Sequence, residues 1–134
     1  MVNFLSPTKI SHLKEGESCY SFFPNENGGV VDDLLVYCFE KNTDYLICVN
    51  ASNADKIGEH INKFGADFDV VITNECDMWG QIAVQGPKAV EIAEKVIPGV
   101  SGVKRFGFSS FDFSGEKVWV ARTGYTGEDG FEIF

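Results

Sequence analysis

Apolar residues recur at the spacing of one helix face in two segments of the chain, which predicts helices over Ser52–Phe64 and Pro87–Val96. Ser52 and Asn53 are typical helix N-caps, and proline is favoured in the first turn of a helix. Gly65 ends the first apolar stripe. We expect both helices to bury these stripes on a sheet.

Short apolar and aromatic runs bounded by turn residues predict the β-strands. These runs are Cys19–Phe23, Val30–Phe39, Tyr45–Val49, Phe68–Thr73, Gln81–Val84, Phe106–Phe113, Lys117–Arg122 and Gly130–Phe134. The first two are joined by a turn that contains Asn27-Gly28, a strong hairpin signal. Clear hairpins with only two helices predict an α+β fold with mostly antiparallel sheets.

Each half of the chain contains a strand–helix–strand core, which suggests duplicated strand-strand-helix-strand halves. The predicted halves are residues 1–76 and residues 77–134, divided within Glu75–Trp79. The last run, Phe131–Phe134, stops without a turn or a polar tail, so we expect an open edge strand. An apolar edge of this kind predicts self-association, and the abrupt end suggests that the chain belongs to a longer protein.

Composition excludes several classes of function. The net charge is −9 with no basic run, which argues against nucleic-acid binding because phosphate contacts need Lys and Arg. No apolar stretch approaches the roughly 20 residues that span a bilayer. The four cysteines form no CxxC pair and there are only two histidines, so no metal site is predicted. We interpret the cysteines as structural free thiols in a reducing compartment.

Two adjacent carboxylates, Asp32 and Asp33, lie on the predicted second strand. Side chains alternate between the faces of a strand, so Asp33 should share a face with Tyr37 while Asp32 shares the other with Leu34. Whichever face is buried, one carboxylate lies among apolar neighbours, which is costly unless it is paired or used. The pair either stays hydrated beside the hairpin turn or is held for a cationic or N–H-bearing ligand.

A second candidate is the glycine-rich segment 122–132, in which Tyr125 and Glu132 flank a predicted turn. Its glycines allow close approach of the backbone to a ligand. The segment is neither a Walker loop nor a GxGxxG motif, because the lysine and the following helix are missing. An ordinary polar hairpin loop is the alternative. His12 and His60 are too isolated to form a triad or a metal site.

Four blocks in a fixed order carry a resemblance to a known family. The blocks are residues 20–37, Val49–Asn53, Gln85–Pro87 and Arg122–Glu132. Together they resemble the folate-dependent aminomethyltransferase, or T-protein, of the glycine cleavage system. Proteins of this family are longer than this chain, which would be a central fragment of one.

The resemblance implies both a reaction and a site. In glycine catabolism the family takes the aminomethyl group from the lipoyl arm of the H-protein, transfers the methylene to tetrahydrofolate and releases ammonia. Asp33 would be the catalytic carboxylate, with Tyr20, Tyr37, Tyr125 and Glu132 binding the folate. The compartment would be the bacterial cytoplasm, or the mitochondrial matrix in a eukaryote.

Two positions depart from the family pattern. Phe106 stands where a tyrosine is expected, which removes one hydroxyl, and Ile57 follows Lys56 where many members have aspartate. The isolated chain should turn over nothing, because segments that close the folate pocket are missing. Alternatives are the folate domain of a demethylating dehydrogenase, or a non-catalytic folate-binding or iron–sulfur-assembly relative. The latter branch carries a Lys-Gly-Cys-Tyr motif that is not found here, and the block from Gly28 to Asp33 favours the transferase.

Overall fold

Two antiparallel sheets, one in each half of the chain, form the framework of the protein. The computed structural model describes all of residues 1–134, which divide into the units Met1–Cys76 and Asp77–Phe134. The predicted α+β class with mostly antiparallel sheets is confirmed.

The first unit is built on a three-stranded sheet of order β1-β2-β3. Its elements in chain order are helix α1 (Val2–Leu5), a 3₁₀ turn (Ile10–His12), β1 (Ser18–Pro24), β2 (Val30–Glu40), β3 (Asp44–Val49), a second 3₁₀ turn (Ala51–Asn53) and helix α2 (Ala54–Gly65). The turn between β1 and β2 is the predicted hairpin: the Asn25 side chain accepts hydrogen bonds from the backbone N–H groups of Asn27 and Gly29.

Alternate residues of β2 and one face of α2 share the core of this unit. Leu34, Val36 and Cys38 are buried on the strand, and Ile57 and Ile61 are buried on the helix. Each large aliphatic side chain buried in this way stabilises the fold by about 1.5–3 kcal/mol relative to leaving it exposed. The predicted apolar stripe of the first helix is therefore the stripe that packs.

A β-bulge interrupts the β1–β2 ladder just before the two aspartates. Phe23 pairs with Asp32 but the next residue, Pro24, pairs with Val30, which leaves Val31 without a partner in the register. The extra residue lets Val31 join the core although strict alternation from Leu34 would turn it away. The bulge therefore sets the path of β2 immediately before Asp32 and Asp33.

The second unit is built on a four-stranded sheet of order β4-β7-β6-β5. Its elements are β4 (Ile82–Gln85), helix α3 (Ala89–Val96), a 3₁₀ turn (Val100–Gly102), β5 (Phe108–Phe113), β6 (Glu116–Ala121) and β7 (Gly130–Ile133). Ala93 and Ile97 pack with Val120 and Phe131 in its core.

The prediction that Phe131–Phe134 forms an open edge is wrong, because β7 is paired on both sides. Ile133 pairs with Ile82 of β4 and with Val120 of β6. The run is apolar because a central strand is buried on its faces, and Phe131 is fully buried. The abrupt end of the run therefore gives no reason to expect association through this strand.

The predicted strand Phe68–Thr73 is also wrong: this segment has no strand partner and the side chain of Val71 is 95% exposed. An apolar run has strand propensity, but a strand forms only where a neighbouring edge offers hydrogen bonds. Without this strand the first unit is three strands followed by a helix, whereas in the second unit the helix follows the first strand. The predicted duplication of strand-strand-helix-strand halves is therefore not seen.

Both predicted helices exist, with later starts than expected. The first begins as a 3₁₀ turn and becomes α-helical at Ala54, and the second begins at Ala89 rather than Pro87. None of the three α-helices has the length and apolar character of a membrane-spanning segment.

Candidate functional site

The two adjacent carboxylates of β2 meet one side-chain amide. The Nδ2 atom of Asn50 lies 3.0 Å from a carboxylate oxygen of Asp33 and 3.1 Å from each carboxylate oxygen of Asp32. An amide nitrogen carries only two hydrogens, so it cannot satisfy all of these oxygens at once. The carboxylates therefore keep accepting capacity for a further donor.

The strand pleat does not keep these two carboxylates apart at this point of the sheet, because both lie within hydrogen-bond distance of the same amide nitrogen. The β2–β3 ladder ends where Leu34 pairs with Val49, so Asn50 follows directly beyond the last pair. Asp32 and Asp33 lie between this end and the bulge at Val31. At the end of a ladder, side chains from both sides of the strand reach one neighbour.

Tyr20 of β1 holds Asp33 from the other side. Its hydroxyl donates to the second carboxylate oxygen of Asp33 at 3.1 Å. This hydrogen bond, with a smaller contribution from burial and from the negative charges of Asp33 and Asp32, raises the pKa of the Tyr20 hydroxyl. Asp33 itself is exposed, so it is a fixed carboxylate that still faces solvent.

Tyr37, the other aromatic residue predicted from the first unit, lies four residues further along β2. It pairs with Ser18 of β1 and with Leu46 of β3, and its side chain is only 2% exposed. Among the residues predicted to bind folate it is the most buried. Its role as a ligand contact stays a prediction.

In the second unit, Glu132 lies in the central strand β7 and is only 8% exposed. One of its carboxylate oxygens accepts a hydrogen bond from the Gln81 amide at 3.1 Å, and the other accepts from the Thr123 hydroxyl. Both donors are neutral. A carboxylate offers about four acceptor positions, so two such bonds leave capacity for an N–H donor of a ligand.

The glycine-rich segment is held at its base by Arg122 and Asp129. The guanidinium donates to both carboxylate oxygens of Asp129, at 2.9 and 2.5 Å, and to the carbonyl oxygens of Ser101 and Val103. The hydrogen bond to Asp129 raises the pKa of Arg122, and the same contact lowers the pKa of Asp129. These charges are used within the protein, which gives the pair a structural role.

Gln85 braces the same segment from β4. Its amide donates to the carbonyl oxygens of Thr123 and Phe131, both at 3.1 Å. The Gln85 side chain occupies the space where a Cβ at Gly124 would lie, so a larger residue there would displace the Gln85 amide. Tyr125 lies beyond this brace and is 82% exposed, which leaves its ring open to a ligand.

Sequence reasoning missed Asn50 and Gln85. Asn50 directly precedes the 3₁₀ turn Ala51–Asn53, but its side chain makes no capping hydrogen bond and binds the carboxylates instead. Asn50 directly follows β3, and Gln85 is the last residue of β4. A polar side chain at the end of an apolar strand leaves the ladder and reaches a neighbouring segment. A polar residue at the end of an apolar run was therefore the signal that the sequence offered.

The remaining side chains that could ligate a metal or react form no cluster. No group of three or more His, Cys, Asp or Glu side chains could hold a metal ion. None of the four cysteines forms a disulfide bond. The polar chemistry is therefore concentrated around Asp33 in the first unit and around Glu132 in the second.

Comparison with known proteins assigns the whole chain to one family. Residues 1–134 match the GCVT N-terminal domain family. An aminomethyltransferase of Bdellovibrio bacteriovorus is 48% identical over 134 residues, which are 99% of this chain and 37% of that protein. One from Deinococcus deserti is 43% identical over 131 residues, 97% of this chain and 36% of that protein.

A solved structure supports the same assignment. The crystal structure of glycine cleavage system aminomethyltransferase T from Bartonella henselae superposes with a TM-score of 0.76 at 31% identity, covering 96% of this chain and 34% of that one. The chain therefore spans about a third of the length of the proteins it matches. The resemblance seen in the sequence is confirmed, and the chain belongs to the aminomethyltransferase family, in which it corresponds to the GCVT N-terminal domain.

Proposed function

We propose that this chain is the folate-binding part of a glycine cleavage aminomethyltransferase, which transfers the methylene of an aminomethyl-lipoyl group to tetrahydrofolate and releases ammonia. One observation carries the proposal. The exposed Asp33 carboxylate is held on one oxygen by the Tyr20 hydroxyl and on the other by the Asn50 amide. A fixed carboxylate that remains open to solvent suits a substrate in which positive charge develops.

Asp33 would act through its charge. When the carbon–sulfur bond of the aminomethyl group breaks, the methylene gains iminium character, and when the carbon–nitrogen bond breaks with loss of ammonia it gains thionium character. A preorganised negative charge stabilises the developing cation in either case. The two neutral donors keep the carboxylate in place without neutralising it, whereas a lysine or arginine partner would compete with the cation. Neither Asp32 nor Asp33 forms an ion pair within the protein.

Tetrahydrofolate would supply the nucleophilic nitrogen that accepts the methylene. We assign Glu132 to the N–H groups of the pterin, because its carboxylate is fixed by Gln81 and Thr123 and has acceptor capacity left. Tyr20, Tyr37 and Tyr125 are proposed as further contacts to the folate, since flat aromatic rings suit a flat ligand. The lipoylated H-protein would bring the aminomethyl group, and we propose the bacterial cytoplasm as the compartment because the matched relatives are bacterial proteins.

A chimaera tests this function directly. Residues 1–134 replace the matching segment of the Bdellovibrio aminomethyltransferase, to which they are 48% identical. With aminomethylated H-protein and tetrahydrofolate, the chimaera should release ammonia and form methylenetetrahydrofolate in equal amounts. The 134-residue chain alone should show no turnover, because it spans about a third of such enzymes.

The controls separate the alternatives. Omitting H-protein should abolish ammonia release, whereas the folate domain of a demethylating dehydrogenase would not depend on that partner. A folded chimaera that binds tetrahydrofolate but releases no ammonia would favour the non-catalytic relative. A folded chimaera that neither binds folate nor reacts would overturn the proposal.

A further inference from the structure

The only charged side chain bonded to the bulge before the aspartates comes from helix α2. The ammonium of Lys56 donates to the carbonyl oxygen of Val31 at 2.8 Å. Val31 is the residue that the β1–β2 register leaves unpaired, and the β2–β3 ladder begins only at Leu34. Lys56 therefore bonds the one backbone position of this strand segment that has no partner in either register.

This contact cannot be explained as an ordinary surface ion pair. Lys56 forms no salt bridge with any carboxylate, whereas Lys63 on the same helix pairs with Glu26 of the β1–β2 turn. A hydrogen bond from an ammonium to a carbonyl is charge-assisted and stronger than a neutral one. Asp32 and Asp33 follow Val31 directly, so the carbonyl that Lys56 holds is the start of the segment that places both carboxylates.

We infer that Lys56 is a positioning residue, which fixes the bulge at Val31 and thereby holds Asp33 between the Tyr20 hydroxyl and the Asn50 amide. The effect of Lys56 on catalysis rests on the proposed function, whereas its effect on the position of Asp33 does not. Freed from Lys56, the Val31 peptide rotates, the register before Asp32 relaxes and the Asp33 carboxylate leaves Tyr20.

The Tyr20 hydroxyl reports this geometry without any assay of activity. Its pKa is raised chiefly by the hydrogen bond to Asp33. If Lys56 positions Asp33, Lys56→Met should lower the pKa of Tyr20 toward the ordinary tyrosine value of about 10. If Lys56 acted only as a nearby positive charge, removing it would raise the pKa of Tyr20, because the phenolate would lose an attractive neighbour. The two explanations predict opposite signs.

The experiment uses the 134-residue chain labelled with ¹³C at the Cζ of its four tyrosines. NMR titration follows each phenol, with Tyr20→Phe to assign the resonance and Asp33→Ala to mark complete loss of the hydrogen bond. Lys63→Met is the matched control, since it removes an ammonium from the same helix without touching the bulge. Lys56→Arg keeps a donor and should keep most of the raised pKa.

A fall in the pKa of Tyr20 in Lys56→Met, absent in Lys63→Met, supports the inference. An unchanged or raised pKa in a variant that melts like the parent chain overturns it. In an active chimaera, Lys56→Met should also lower kcat by about tenfold or more with a smaller change in KM, because small displacements of a catalytic group are costly. An inactive chimaera with the NMR shift intact would reject the proposed function and leave the positioning role standing.

Discussion

Asp33 and Asp32 differ in how many donors hold them. Both accept from the Asn50 amide, but only Asp33 also accepts from the Tyr20 hydroxyl. A carboxylate held by two donor residues on opposite sides keeps its direction when a substrate arrives, whereas one held by a single amide turns more easily. This difference in the structure supports the choice of Asp33 that the family resemblance suggested.

In the active chimaera, Asp33→Asn should lower kcat by about 100-fold or more, a loss of about 3 kcal/mol of transition-state stabilisation. The amide keeps the size of the side chain and removes its charge, which matters most as the cation develops, so KM should change much less. Initial rates of ammonia release measure both constants. Asp32→Asn is the matched variant and should have the milder effect; the reverse order would show that the catalytic assignment is wrong.

His60 gives the first unit a dependence on pH. Its ring stacks on Phe23 with centroids 5.8 Å apart and meets the edge of Phe64. Burial, and then the charge of Lys63, lower the pKa of His60 below its ordinary value. In the unfolded chain the histidine takes up its proton near pH 6.5, above the pH at which the folded form does, so acidification below about 6.5 stabilises the unfolded state.

We therefore expect the free energy of unfolding to fall between about pH 7.5 and about pH 5.5, a window above the titration of ordinary carboxylates. Urea unfolding at several pH values measures it. His60→Gln should flatten this dependence, although it also lowers stability throughout by removing the stacked ring. His12→Gln should leave the dependence in place; if it removes the dependence instead, His60 is not its source.

Within the secondary-structure elements, replacing glycine by alanine should have opposite effects on stability at two positions. A Cβ at Gly130 would collide with the carbonyl oxygen of Val84 in the paired strand β4 and with the Gln85 side chain. Gly58 lies within helix α2, and a Cβ there would meet nothing within 4 Å. Crowding should therefore dominate at Gly130, whereas the lower chain entropy of alanine should dominate at Gly58.

Gly130→Ala should destabilise the chain by about 1–3 kcal/mol, the usual cost of overpacking a filled position. Gly58→Ala should stabilise it by about 0.5–1 kcal/mol, because alanine is the better helix former. Chemical unfolding of the two variants beside the parent chain measures both. If Gly130→Ala stabilised the chain as Gly58→Ala does, the close contact between β4 and β7 would have to relax at little cost.

At the scale of the whole molecule, self-association stays a prediction, although its original reason has gone. The last strand is an inner strand of its sheet, so it offers no edge. The apolar segment that is exposed is instead Val70-Val71-Ile72, in which Val71 is 95% exposed. Consecutive exposed apolar residues favour association.

Light scattering at increasing concentration should show the chain associating, and Val71→Lys should shift it toward monomer. Val96→Lys places the same charge at an exposed apolar residue of helix α3 and should have less effect, because that residue is 54% exposed and stands at a helix end. A parent chain that stays monomeric at high concentration would contradict the prediction.

Patterns within the sequence were enough to predict the local elements and the family. The spacing of Ile57 and Ile61 marked the buried face of α2, and the Asn-Gly turn marked the β1–β2 hairpin. These signals depend on residues close together in the chain, which is why they can be read without coordinates. The order of four motif blocks identified the aminomethyltransferase family because the blocks are specific in combination.

Strand pairing and the contacts between distant side chains became visible only in three dimensions. It gave β7 two neighbours, left Phe68–Thr73 without one, and brought Asn50 to both carboxylates at the end of a ladder. Strand pairing joins segments far apart in the chain, and a single bulged residue resets the alternation of faces on which sequence reasoning relies. The position of Asp33 therefore follows from its neighbours in space, among them Tyr20, and not from the pattern of β2 alone.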